Sequence, residues 1–231
     1  MAEERHSTQE PMELSIDTCS DKASIALSRE GALLVELTWQ IGREHSRQLL
    51  PAIDGLLGRL SASKDDLVAL FVAIGPGTYA GVRAGVSMAK GLAFGLELPL
   101  AGVGRLEIEA YVWRAAGGPI VAVHRAGRRE AAWAAYEGAP GWKELSAPRL
   151  SALEELAALL PAGSLVTGEL EEEAVAEMTA LGHRVVTGAA TVRRAAILAE
   201  LGWQRLQAGQ TDDPKSLVPL YLREPAIGPQ K

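Results

Sequence analysis

Leu67-Val68-Ala69-Leu70-Phe71-Val72-Ala73-Ile74-Gly75-Pro76-Gly77-Thr78 reads as a strand that runs into a glycine turn. The apolar run is too short to span a membrane and is rich in β-formers, which predicts a strand covered on both faces. Gly75-Pro76-Gly77 stops it, because glycine opens backbone conformations closed to other residues and proline lacks a donor. Thr78 can cap a helix over Tyr79–Leu96, and Leu100–Val103 supplies the next strand.

That helix holds Gly81, Gly85, Gly91 and Gly95. Each interior glycine costs roughly 1 kcal/mol relative to alanine, so close packing must offset the sum. On the helical wheel Val82, Gly85, Val86, Ala89, Leu92, Ala93 and Leu96 form one apolar stripe suited to a sheet. Gly81, Ala84, Met88, Gly91 and Gly95 form a second, at alternating spacings of three and four, the seam of a helix meant to meet another helix. Two readings of that seam stand side by side. It is either buried against a neighbour in the same chain, or kept small for the backbone of another protein.

Upstream, Glu13–Asp17, Ala23–Ser28 and Leu33–Thr38 predict an antiparallel meander with a turn at Arg29-Glu30-Gly31. A helix over Ser46–Leu60 follows, with Leu49, Leu50, Ile53, Leu56, Leu57 and Leu60 as its core stripe. Its opposite face is Gln48, Ala52, Gly55 and Arg59, again small in the middle. The order βββαβαβ is a mixed sheet flanked by helices, a ribonuclease-H-like half with right-handed crossovers. Beyond Ala116-Gly117-Gly118-Pro119 the pattern restarts. Ile120–His124 and Glu130–Tyr136 make a hairpin, and a helix is expected over Leu150–Leu160. Strand Leu165–Thr167, helix Glu171–Leu181, strand Arg184–Val186 and helix Ala189–Gln207 follow. The tail from Asp212 is expected to dock through Leu217, Leu220, Tyr221 and Leu222. The expected division is a disordered leader over 1–11, an N-terminal lobe over 12–116, and a C-terminal lobe with docking tail over 117–231.

Composition narrows the function. The chain has 231 residues, a net charge of −6 and 48% hydrophobic residues, which fits a soluble globular protein and argues against one that grips nucleic acid by itself. A single cysteine, Cys19, precludes an internal disulfide and fits a reducing cytoplasm; no signal peptide or membrane span is visible.

No catalytic constellation stands out. Gly75-Pro76-Gly77-Thr78-Tyr79-Ala80 satisfies a loose dinucleotide fingerprint, but the next strand ends in Gly104 rather than a ribose-binding acid. A P-loop is excluded for want of the lysine. The turn can still present N–H groups to an anion. Asp17 could hold a hydrated Mg²⁺ beside a phosphate, or simply make an Asx-turn, the reading favoured without a second acid nearby. His6, His45, His124 and His183 are scattered, without the spacing of a metal site. Arg125, Arg128 and Arg129 give a basic hairpin tip, an RNA contact or only a solvated end.

Several stretches resemble one family. Leu14-Ser15-Ile16-Asp17-Thr18, His45-Ser46-Arg47-Gln48-Leu49-Leu50-Pro51 and Gly75-Pro76-Gly77-Thr78-Tyr79-Ala80-Gly81-Val82-Arg83-Ala84-Gly85 look like the TsaB (YeaZ) family. Ala89–Ala93, Val166–Glu169 and Pro219–Arg223 continue the match in order, so the resemblance runs from about Met12 to Pro225. It implies an α/β, actin-like ATPase (ASKHA) fold of two ribonuclease-H-like halves with mixed sheets. It further implies a cytoplasmic, non-catalytic dimerisation subunit that binds a TsaD-like threonylcarbamoyltransferase, with a TsaE-like ATPase joining. Together they place a threonylcarbamoyl group on the adenosine beside the anticodon of tRNAs reading codons that begin with A. The helices over Ser46–Leu60 and Tyr79–Leu96 become the partner surface, and the same surface serves a homodimer when the chain is alone. The resemblance implies tRNA contact only through the complex, no required cofactor, and ATP or ADP bound only weakly or at the partner junction. Asp17, Gly75, Gly77 and Thr78 are then a vestigial phosphate loop.

The chain departs from the family at the hairpin, usually Asp-Ala-x-Arg-x-Glu-x-Tyr, where Arg125 to Ala132 lose both the acid and the aromatic. Ala80 also replaces a usual threonine. The competing class is a stand-alone enzyme, either an ATPase or kinase using Asp17 and Gly75–Thr78, or a glycopeptidase-like protein. Turnover of ATP by the pure chain separates the two.

Overall fold

The computed structural model describes residues 10–42, 44–138 and 140–223; most of the expected leader and the last eight residues of the tail lie outside that range. The chain forms two compact units. The first comprises residues up to Ile74, Ala80–Val103 and Arg194–Pro219; the second comprises Gly75–Tyr79, Gly104–Arg193 and Leu220 onward. The stretch Arg194–Pro219, which the sequence places with the C-terminal lobe, is therefore part of the first unit.

The first unit is built on β1 (Met12–Asp17), β2 (Lys22–Arg29), β3 (Ala32–Gln40), β4 (Leu67–Ala73) and β5 (Leu100–Val103). They form one sheet in the order β3-β2-β1-β4-β5, antiparallel through the meander and parallel from β1 to β5. Strand β1 is buried along its length, and β4 is buried except at Val68, much as its unbroken apolar run predicts. Helices α1 (His45–Arg59) and α2 (Tyr79–Leu96) have the predicted extents to within a residue. Helix α6 (Ala195–Gln207) crosses all five strands.

Strand alternation separates the helices. Phe71 is paired with Ser15, and a Cβ on Gly202 of α6 would strike its ring. Ile16, the next residue along β1, faces the other way, within van der Waals reach of the Cβ position of Gly85 in α2. Helix α6 begins at Ala195, not Ala189, because Val192–Arg194 is extended. Its first turn is held by Ser24 Oγ, which accepts from Ala195 N–H at 2.9 Å, and by Glu36, which accepts from Ala196 N–H at 3.0 Å. The tail then crosses β5, where Gly102 N–H donates to Asp212 Oδ2 at 2.7 Å and Leu217 is buried.

The second unit holds β6 (Pro119–Arg125), β7 (Glu130–Glu137), β8 (Lys143–Ala152), β9 (Leu165–Gly168) and β10 (Arg184–Val185), in the order β10-β9-β6-β7-β8. Its two faces carry separate cores. One packs Leu106 and Ala110 of α3 (Arg105–Tyr111) on Ile120, Ala122, Ala134 and Tyr136. The other packs Leu156 of α4 (Leu153–Leu159) and Met178 of α5 (Glu172–Ala180) on Val121, Val123, Trp133 and Val166. Strand β8 and helix α3 are absent from the sequence reading, and the helix expected from Leu150 starts only at Leu153. At the end of β9, Gly168 has φ +122°, and a Cβ there would collide with the Val123 carbonyl, so only glycine fits.

Candidate functional site: an open helix groove and a buried charge cluster

In the first unit, α1 and α2 leave an open groove of about 430 Å³ between them. Its walls are His45, Leu49 and Leu50 of α1 and Ala84, Met88 and Gly91 of α2. Leu50 is 45% exposed, although the sequence assigns it to the core stripe. The reason is angular. Leu49, Ile53, Leu56 and Leu57 fill the buried arc, and Leu50 lies 100° round the wheel from Leu49, on the flank facing α2. His45 and Leu50 are thus groove residues that the search for small side chains passes over.

The predicted seam divides in two. Gly91 and Gly95 are exposed, and among the described residues nothing lies within 4 Å of where a Cβ would sit; Gly55 of α1 is equally open. Ala84 and Met88 are half-buried on the groove wall. Gly81 is a correction: it is buried, and its carbonyl accepts the Thr18 hydroxyl at 2.7 Å. The same hydroxyl occupies the Cβ position of Gly85. Gly85 therefore serves a close approach within the chain, and Gly81 is turned inward toward the same threonine. On α1, Gln48 is engaged locally, accepting from Trp39 Nε1 at 3.0 Å and donating to Glu44 at 2.9 Å. Ala52 is half-buried, and Gly55 and Arg59 are exposed.

His45, at the start of α1, is 5% exposed, and its Nδ1 is buried without a partner. Burial lowers its pKa below the ordinary 6.5 against the opposing charge of Asp21. The imidazole is therefore neutral in the groove wall at neutral pH.

The residues of the expected phosphate loop are divided between the two units. Asp17 is buried and its Oδ1 accepts from Cys19 N–H at 2.9 Å, the Asx-turn rather than a metal-ready acid. Cys19 is buried, with its sulfur 3.6 Å from the Ala73 carbonyl. Gly75, Gly77 and Thr78 belong instead to the second unit, where the Gly75 carbonyl accepts from Arg105 N–H at 2.7 Å. Among the described residues no group of three or more His, Cys, Asp or Glu could hold a metal ion, and no helix is long and apolar enough to cross a membrane.

The second unit contains a charge cluster with no counterpart in the sequence reading. Arg105, fully buried on α3, donates from Nε to Glu109 Oε1 at 2.9 Å and from Nη2 to Glu169 Oε1 at 2.7 Å. Arg193 Nη1 stands 3.7 Å from Glu109 and 3.6 Å from Glu169. Glu169 Oε2 also holds His124 Nδ1 at 3.1 Å. Arg105 Nη1 and Glu109 Oε2 remain buried without partners. Burial lowers the His124 pKa, outweighing the hydrogen bond to Glu169. For Glu169 burial acts upward, but the His124 hydrogen bond and the Arg105 charge, with smaller help from His124 and Arg193, hold its carboxyl far below the usual range. The i, i+4 spacing of Arg105 and Glu109 is the one signal in the sequence, and it reads as an ordinary surface pair.

Comparison with known proteins now places the chain. The TsaD family model, tRNA N6-adenosine threonylcarbamoyltransferase, matches residues 40–185, more than half of the chain. The tRNA threonylcarbamoyladenosine biosynthesis protein TsaB of Bacillus subtilis is 36% identical over 135 residues, covering 58% of this chain and 59% of that protein. The protein of the same name from Escherichia coli is 36% identical over 126 residues, 54% of each chain. The chain thus spans little more than half the length of these curated relatives. In structure it is similar to YeaZ from Pseudomonas aeruginosa, with a TM-score of 0.75, 23% identity, and 92% of this chain and all of the other covered. It is similar also to the ROK hexokinase from Thermus thermophilus, with a TM-score of 0.51, 10% identity, and 86% of this chain and all of the other covered. The architecture of two mixed-sheet α/β units is the actin-like ATPase (ASKHA) fold. Within that fold, the chain belongs to the family that the TsaD model describes, and the relatives it is similar to are TsaB (YeaZ) proteins.

Proposed function

We propose that this chain is a scaffold subunit of tRNA threonylcarbamoyladenosine biosynthesis, without catalytic chemistry of its own, which docks a TsaD-like threonylcarbamoyltransferase on the α1–α2 groove. The carrying observation is the open space over Gly55, Gly91 and Gly95. Helical glycines that no described side chain requires are explained by the backbone of a second protein approaching closely, at a cost of roughly 1 kcal/mol each in the free chain. Leu50 and Phe94, 45% and 67% exposed, add the apolar surface that such a contact buries. Ala84, Met88, Gly91 and Gly95 on α2, and Ala52, Gly55 and Arg59 on α1, are the contact residues in this reading; Gln48 supports α1 through its local bonds. The relatives' names supply the process, and the family model supplies the partner's class.

In this reading the chain lies in the cytoplasm and tRNA reaches it only through the complex. A TsaE-like ATPase joins the pair, and two copies of the chain close the groove on each other when the partner is absent. A stand-alone nucleotide-using enzyme leans on Asp17, whose carboxylate is held in its own turn. The test is co-purification with a TsaD-like protein of Gly91→Leu and Ala84→Glu, two substitutions that project into open or half-open space. Loss of the complex with unchanged circular dichroism is expected. Retention of the complex by both variants removes the groove as the interface, and ATP turnover by the pure wild-type chain overturns the scaffold role.

A further inference from the structure

The charge cluster of the second unit has one free end. His124 is 9% exposed, its Nδ1 is tied to Glu169, and its Nε2 meets no protein partner among the described residues. The ring lines a crevice of about 380 Å³ in the size range of small-molecule sites. Because a carboxylate only accepts, the proton sits on Nδ1, and Nε2 carries the free lone pair of a residue that lines the crevice. Burial keeps the ring neutral, so the acceptor persists at neutral pH. Such a histidine, with its other nitrogen on a carboxylate, is also how metals are held. A metal is disfavoured because no second and third ligand stand near it among the described residues.

The remaining walls narrow the ligand. Tyr79 and Tyr221 both line the crevice and stack on one another, centroids 5.3 Å apart and planes 30° apart, with 47% and 38% of their surfaces still exposed. Leu150 gives an apolar wall. Arg125 and Arg223 also border it, each paired with a glutamate, Glu171 and Glu130, so the crevice carries little net charge. A ligand that satisfies these walls is flat, stacks on tyrosine, and donates an N–H to a fixed acceptor. Fixing that acceptor takes Arg105, Glu109 and Arg193 out of water and strands two polar atoms, a burden that orienting an idle histidine does not explain.

The geometry points to a binding site for an unpaired nucleobase in this crevice, with a ring or exocyclic N–H on His124 Nε2 and the base plane against the Tyr79–Tyr221 pair. The base belongs either to a free nucleoside or to an unpaired loop of an RNA, and the chemistry is the same for both. This site is independent of the α1–α2 groove.

The test follows the His124 imidazole ¹⁵N resonances of the full chain during titration with adenosine, cytidine, guanosine and uridine, and separately with an RNA hairpin bearing an unpaired loop. A saturable shift of Nε2 is expected with at least one probe. A shift with nucleosides assigns the free ligand, and a shift with the hairpin alone assigns the RNA. Tyr221→Ala, at a partly exposed position, is expected to weaken binding about tenfold through the lost stacking contact. Leu150→Trp fills the crevice while leaving the Glu169–His124 contact in place, and should abolish the shift. No shift with any probe at millimolar concentration overturns the site, as does binding that survives Leu150→Trp unchanged.

Discussion

Replacing single glycines of α2 by alanine should move stability in opposite directions along one helix. At Gly91 the new methyl enters open space on an exposed face, so only the backbone matters. Alanine then restores the helical preference that glycine forfeits, a gain of about 0.8–1 kcal/mol, or roughly 2–4 °C in Tm for a chain of this size. Gly95→Ala is expected to behave alike. At Gly85 the methyl lands on Thr18 Oγ1, which donates to the Gly81 carbonyl at 2.7 Å. Thr18 is 1% exposed and cannot swing into solvent, so the hydrogen bond is strained or lost. Overpacking of this kind costs about 1–3 kcal/mol, which exceeds the helical gain, and the variant is less stable than the parent. The assay is urea unfolding followed by hydrogen exchange of the α2 amides, which reads the first unit without requiring the two units to unfold together. Destabilisation by Gly91→Ala, or a neutral Gly85→Ala, would refute the division of the helix's glycines into an inward-packed set and an outward set. The same Gly91→Ala protein should hold a TsaD-like partner less tightly than the parent does. Stability and association then change in opposite senses, as expected where glycine is retained for contact rather than for folding.

The remaining predictions concern the buried charges. Both His45 and His124 titrate below the ordinary 6.5 in the folded chain, so the unfolded chain takes up their protons first. Their contribution is complete above pH 6.5 and is lost as the pH falls from there toward their folded values; Glu169, held low, adds a further loss below its ordinary 4.5. Thermal midpoints should therefore fall steadily from pH 7 to pH 5, with a shallower fall in His124→Gln, and a midpoint that rises over that interval would contradict the burial of both rings. Arg105→Met leaves Glu109 buried with only the longer Arg193 contact, and breaking a buried pair in this way costs about 3–5 kcal/mol. Near-ultraviolet dichroism from Trp113, Trp133 and Trp142 in the second unit should then be lost at much lower urea, and parental resistance would mean that the cluster is not structural.

How far the sequence carries the fold depends on whether one segment's pattern has one meaning. Leu67–Ile74 could only be a buried strand, and the meander and the helix after the glycine turn follow from equally plain periodicities. Strand β8 was hidden because Lys143–Ala152 is a polar edge strand containing Pro148. Its register slips opposite Trp133 and Ala135, around Pro148, where a missing N–H is tolerated. The same stretch contains Leu150, whose spacing to Leu153 and Leu156 mimics a helix. Helix α3 was hidden by its brevity and by Arg105 and Glu109, charges that belong on a surface unless they are paired, and their burial depends on Glu169 and Arg193 arriving from distant parts of the chain.

The candidate site shows the limit more sharply. Four glycines at helical spacing announce that something comes close to α2, but spacing alone does not say what. Thr18 answers for Gly85, and bonds the Gly81 carbonyl, from a strand end that no local pattern connects with this helix. Among the described residues nothing answers for Gly91 and Gly95. Glycine in a helix is unfavourable whatever its surroundings, so each position requires an explanation from a neighbour. Where the described side chains supply none and the face is open, the backbone of the proposed partner is the neighbour that accounts for the glycine, independently of likeness to any relative.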